Sequence, residues 1–157
     1  MYQEQLQTLI DSYLPAEPGQ DAIRREFASF ISQNSDCLDR GNATGHLTAS
    51  AWIVDPRREL ALLAHHTKLD KWIQLGGHAD GDPDLLAVAE REALEESGLV
   101  VMALDVGRVF DLDIHEIPRH GPTPSHLHYD VRFLFAADSE ERLTISPESK
   151  RLRWIPL

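Results

Sequence analysis

Between residues 80 and 96 the chain carries seven acidic side chains, Asp80, Asp82, Asp84, Glu90, Glu92, Glu95 and Glu96, and a single base, Arg91. The same stretch has helical spacing, with Asp84 placed to cap its start just after Pro83 and Gly98 placed to stop it. At about 100° per residue, Glu92, Glu95 and Glu96 fall within one arc of roughly 100°, on the side that Leu85, Val88 and Ala89 occupy one or two turns earlier. Carboxylates one turn apart destabilise a helix, and acids near its C-terminal end oppose its dipole. A plain solvated face would leave both costs standing. A hard divalent cation would offset them, and three carboxylates at i, i+3 and i+4 supply the oxygen ligands that such a cation takes.

The remaining elements have to hold that helix in place. Residues 2–14 and 20–33 have helical spacing and are separated by the breaker "PAEPGQ"; "SDCLDRGN" ends this front section. From Gly45 the period changes. "HLTASAWIVD", "ELALLAHH" and "KWIQLGGH" read as strands before the acidic helix, and "VMALDVGRVFDLDI", "HLHYDVRFLFAA" and "RLRWIPL" as strands after it. Strands around one strong central helix, with a helical pair in front, predict an α/β or α+β sandwich. The expected division is a helical extension over 1–40 packed on a main domain over 41–157.

A second pattern lies in "HLHYDVRF". His126, His128, Asp130 and Arg132 share one face of that strand, and Leu127, Tyr129, Val131 and Phe133 share the other. The alternation suits a strand with one wet face. It also suits the polar wall of a substrate cleft, with Arg132 or a histidine on phosphate, and a metal site of histidines and aspartates is a third reading. His78 follows a glycine pair that allows close backbone approach and is a candidate lining residue. Before the pair come His65, His66, Lys68, Lys71 and Trp72; the tryptophan reads as core in preference to a stacking platform, and the lysines as surface or phosphate contacts.

The run from Gly77 to Leu99 is similar to the signature of the Nudix hydrolases, G-x5-E-x7-R-E-U-x-E-E-x-G-U, in which U is a bulky apolar residue. It aligns as Gly77, Pro83, then Arg91, Glu92, Ala93, Leu94, Glu95, Glu96, Ser97, Gly98 and Leu99. Pro83 stands where the family has glutamate, between Asp82 and Asp84. Glu148, followed after five residues by "WIPL", resembles the family's distal carboxylate, with Glu116 as a rival. The resemblance implies a Nudix-type α/β/α sandwich with a mixed sheet. It also implies metal-dependent hydrolysis of a diphosphate in a small nucleotide-type substrate, a nucleoside diphosphate linked to X. By that resemblance Gly77 (through its carbonyl), Glu92, Glu95 and Glu96 hold Mg²⁺ or Mn²⁺. Glu92 serves as base, Arg91 orients it by a salt bridge, and Glu148 assists. His78, His128, Asp130 and Arg132 are then the expected substrate-binding residues. Two alternatives stay open: a catalytically weak nucleotide-binding or sensing module, and isomerase chemistry on isoprenoid diphosphates.

Composition narrows the field. The 157 residues, 42% apolar and 26% charged, suit a globular chain. A net charge of −11 argues against nucleic-acid polymers as partners. One cysteine, Cys37, leaves no disulfide framework. The polar start "MYQEQLQTLIDSYL" and the absence of a long apolar run lead to the expectation of a cytoplasmic protein away from the membrane. A homodimer is left open.

Overall fold

The computed structural model describes all residues 1–157. Three helices, α1 (Tyr2–Asp11), α2 (Gln20–Gln33) and α3 (Leu85–Ser97), accompany eight strands in one mixed sheet. The strands are β1 (Gly45–Val54), β2 (Leu60–His66), β3 (Lys71–Ile73), β4 (Leu75–His78), β5 (Met102–Ala103), β6 (Asp111–Ile117), β7 (His126–Ala136) and β8 (Ser149–Pro156). The mixed α/β class expected from the sequence is what forms. No helix is long and apolar enough to cross a membrane.

The sheet is organised around β1 and β7, which run parallel in register from Gly45↔Leu127 to Val54↔Ala136. Every other pairing is antiparallel. β1 changes partner along its length: Thr48 to Ala51 pair with β4, whereas Ile53 and Val54 pair with β2. That fork divides "KWIQLGGH", which had read as one strand. Its first half (β3) pairs with β2, its second half (β4) pairs with β1, and Gln74 lies between them. The segment "VMALDVGRVFDLDI" is likewise two strands, because Asp105 (φ 58°) and Gly107 (φ 85°) turn the chain between β5 and β6.

One face of the central strands is apolar. Leu47, Ala49, Ala51 and Ile53 of β1 and Tyr129, Val131, Phe133 and Phe135 of β7 are all buried. α3 packs on β1 and β4 through Leu85, Val88, Ala89 and Ala93. From α2, Phe30 stacks on Tyr129 at 3.9 Å and Phe27 meets the same ring edge-on at 5.3 Å. Leu6, Ile10, Phe27, Phe30 and Ile31 belong to the same continuous core as the strands and α3. The front helices therefore share the main core and have no separate one.

Candidate active site

The glycine turn and α3 make the first half of the site. A Cβ on Gly77 would lie 2.5 Å from the Glu92 carboxyl carbon and 2.7 Å from both of its oxygens. Only glycine lets β4 approach the Glu92 carboxylate this closely. One residue earlier, the Gly76 N–H donates to Glu96 Oε1 at 3.3 Å. Glu96 is only 7% exposed, although it is a carboxylate. Burial pushes its pKa up to about 8, with the charges of Glu92, Glu148 and Glu95 adding to the effect and the Gly76 N–H opposing it. Glu92 is raised as well, first by burial and then by Glu95, with Glu148 and Asp80 contributing. Glu148 lies in the turn just before β8, and its charge acts on both the half-buried Glu92 and the buried Glu96; the exposed Glu116, at the end of β6, acts on neither.

Four carboxylates thus converge, and no ion pair with a base relieves Glu92, Glu95 or Glu96. Arg91, expected to pair with Glu92, instead reaches Asp82 at 3.6 Å on the surface, and it lowers the Glu92 pKa only through space. The two acids beside Pro83 are occupied too. Asp82 accepts from the Asp84 N–H, and Asp84 caps α3 by accepting from the Ala87 N–H, both at 3.0 Å. An unrelieved cluster of hard oxygen donors at a glycine cradle is a chemical fit for Mg²⁺ or Mn²⁺.

The second half of the site is the other face of the sheet. Register sets His46, Thr48 and Ser50 of β1 beside His128, Asp130 and Arg132 of β7, and Asp111, Asp113 and His115 of β6 beside those. Asp130 is 2% exposed. It accepts from Thr48 and Ser50 at 2.8 Å and from Arg132 Nε at 3.1 Å. Arg132 also donates to Asp111 at 3.0 Å and to Asp113 at 3.1 Å. The guanidinium expected to meet substrate phosphate is therefore engaged by three carboxylates that hold β6 to β7. Asp130 likewise has its oxygens committed to protein donors.

This geometry changes the expected result of Arg132→Ala. Removing one partner of a buried pair leaves an uncompensated charge, at a cost of about 3 kcal/mol for a side chain still partly exposed. A urea melt should show that loss, whereas a change in KM at unaltered stability would return Arg132 to the substrate.

His78 and His128 do lie together, and with them His46, which sequence reasoning missed. The ring centroids of His46 stand 5.1 Å from His78 and 4.8 Å from His128. Burial first, and then the neighbouring imidazoles, push His46 down to about 4 and His128 down to about 2. Both are neutral at pH 7, so neither is a cationic anchor for phosphate. The signal for His46 was present in "HLTAS", where polar residues alternate with apolar ones as they do in "HLHYDVRF".

Arg40 was also missed, because "SDCLDRGN" read only as the end of a helical section. Its Nε donates to Asp80 at 2.6 Å, and Nη2 donates to the same carboxylate. Glu92 and Glu148 both act on it electrostatically, which puts a cation beside the carboxylate cluster. Arg40 lines a cleft of about 260 Å³ with Asn42, Thr123, Pro124 and His126. Other candidates lie elsewhere. Trp72, expected in the core, is 37% exposed and sits between His65 (5.1 Å) and Arg153 (5.6 Å). Cys37 is fully buried within the hydrophobic core, and burial raises its thiol to about 11.

Comparison with known proteins identifies the family and the fold. The family model for the NUDIX domain matches residues 44–157. A crystal structure of a NUDIX-family hydrolase from Clostridium perfringens shares 28% identity, over 71% of this chain and 81% of that one, with a TM-score of 0.51. A C. elegans Ap4A hydrolase complex (16% identity, 70% and 79% covered, TM-score 0.55) has the same fold. So does a MutT protein from Methanosarcina mazei Go1 (18% identity, 72% and 78% covered, TM-score 0.55). No curated protein matches the chain.

Proposed function

Because the chain belongs to the NUDIX domain family of hydrolases acting on phosphorus anhydrides, we propose that it hydrolyses the diphosphate of a nucleoside diphosphate linked to X, using water deprotonated by Glu92. The observation that carries this reading is the Glu92 carboxylate, pressed on Gly77 and raised in pKa by burial, with Glu95, Glu148 and Asp80 adding to the effect. A base with a raised pKa holds a proton more strongly than an ordinary carboxylate and is still ionised near neutral pH when a cation is nearby. Mg²⁺ or Mn²⁺, held by Glu92, Glu95, Glu96 and the Gly77 carbonyl, would neutralise the diphosphate and lower the pKa of bound water.

The chain's own residues supply the rest. Glu92 takes the proton as the water oxygen bonds to phosphorus, and the phosphorus–oxygen bond to the leaving phosphate breaks. Arg40, adjacent to the carboxylates and lining the cleft, is the cation best placed to steady the phosphate charge. His78 and His128, both lowered in pKa by burial, contribute neutral walls.

The Ap4A hydrolase neighbour makes dinucleoside polyphosphates sensible first substrates, beside nucleoside triphosphates. Release of phosphomonoester products should be followed by chromatography over these, nucleotide sugars and cytidine diphosphate alcohols, with Mg²⁺ or Mn²⁺ and then with EDTA. Release should fall to the enzyme-free level in EDTA. Tight nucleotide binding without release on any substrate would favour a sensing module, and release indifferent to EDTA would remove the cation from the reaction.

A further inference from the structure

We propose that His46, His78 and His128 form a second metal site, one that takes a borderline, nitrogen-preferring dication such as Zn²⁺ and is separate from the oxygen site on α3. The three histidines each offer one ring nitrogen, and these atoms lie within 4.8 Å of one another. Atoms so spaced lie within about 2.8 Å of a common centre, against roughly 2.0–2.1 Å for a zinc–imidazole bond. Ring rotations and shifts of under about 1 Å would close the site.

The ligands come from three different strands, so the sheet itself holds them. His46 and His128 are directly paired across the parallel β1–β7 ladder. His78 ends β4 opposite Thr48, two residues along β1 from His46. On all three strands they point to the polar face.

The second, independent observation is what these rings lack. His46 is 2% exposed, and neither of its ring nitrogens makes a hydrogen bond of normal geometry, the Asn42 backbone having only the smallest effect on the ring; His128 Nε2 is also buried and unpartnered. A buried polar atom left in this state costs about 1–3 kcal/mol, and here three such atoms occur on two adjacent rings. A cation held by the imidazoles would satisfy the atoms facing it. Packing alone does not account for histidine at these positions, since an apolar ring would stack equally well without orphaned nitrogens.

Donor chemistry separates this site from that of the glutamates. Three imidazoles suit zinc and its first-row neighbours and are poor ligands for Mg²⁺. Three protein nitrogens leave a fourth tetrahedral position open to water or an anion. His126, its ring 5.0 Å from His46 and 5.2 Å from His128, also lines the cleft with Arg40, which brings the cluster within one ring of the cleft. This inference does not depend on the hydrolytic reading; a chain with no activity at all could still bind the ion here.

The test uses the full chain, freed of metal with a chelator and titrated with Co²⁺ as a spectroscopic stand-in for Zn²⁺, and then with Zn²⁺ itself. One equivalent of Co²⁺ should give the intense visible bands of a four- or five-coordinate nitrogen site, and Zn²⁺ should displace it. His78→Gln and His128→Gln should weaken binding by at least about tenfold, whereas Glu95→Gln should leave the bands in place. Weak six-coordinate bands, or bands lost in Glu95→Gln and kept in the histidine variants, would overturn the proposal. Where a variant fails to fold, ring ¹⁵N resonances of the unmutated chain decide the question. One equivalent of Zn²⁺ should shift three of the eight histidines, and unshifted rings would reject the site.

Discussion

Replacing Glu92 by glutamine should lower turnover by about two to four powers of ten, the usual worth of a positioned general base, while the fold and its melting behaviour are retained. Glutamine keeps the volume that fits against Gly77 and removes the negative charge, and with it the capacity to accept a proton and to help hold the cation. It also relieves repulsion with Glu95 and Glu148, both of which raise the Glu92 pKa, so the variant should be at least as stable as the parent without metal. The pH profile gives a further readout. Activity of the parent should rise with pH as Glu92 ionises, and the variant's residual activity should lose that limb. Steady-state turnover on the best substrate, compared between the two proteins at several pH values, checks the assignment. Equal turnover would remove Glu92 as base and turn attention to Glu148.

Glu96→Gln should have the largest effect on stability, and its sign should depend on pH and metal. The buried Glu96 is raised from an ordinary value of 4.5 to about 8. The folded chain therefore binds a proton that the unfolded chain releases. The stability tied to that proton is fully present below about pH 4.5 and is lost as pH rises through about 8. In chelator, the glutamine variant, which never ionises, should be the more stable of the two at pH 8.5. At about 1.4 kcal/mol per pKa unit the difference reaches up to about 5 kcal/mol, and it should vanish near pH 4.5. Added Mg²⁺ should invert the order at high pH, because it stabilises the carboxylate and finds less to bind in the variant. Urea melts at both pH values, with and without Mg²⁺, supply the comparison. Parallel profiles for the two proteins would mean that Glu96 is solvated and is not held against the Gly76 N–H.

The chemistry of α3 was legible in the sequence because it is local. Arginine and glutamate at fixed spacings along one helix, with Asp84 to cap it and Gly98 to stop it, need only helix geometry to be brought into relation. The mixed α/β class followed for the same reason, from periods of 3.6 and 2 read over short windows. The Gly77 cradle belongs partly here: the glycine was visible, and its contact with Glu92 had to await the packing of β4 on α3.

What the tertiary structure decided was which strands lie side by side, and hence what each polar residue meets. "HLHYDVRF" shows alternation, but nothing within it says that Asp111 and Asp113 will arrive from β6 to neutralise Arg132, or that His46 will pair in register with His128. Arg40 looked like the tail of a helical section until the β1 strand it precedes was placed beside the glutamates. Arg91 and Asp82 are close in sequence, yet their pairing depends on how the turn before α3 is laid down. In each case the missing information was a long-range pairing, which depends on the register of strands far apart in the chain and not on the residues of either strand alone.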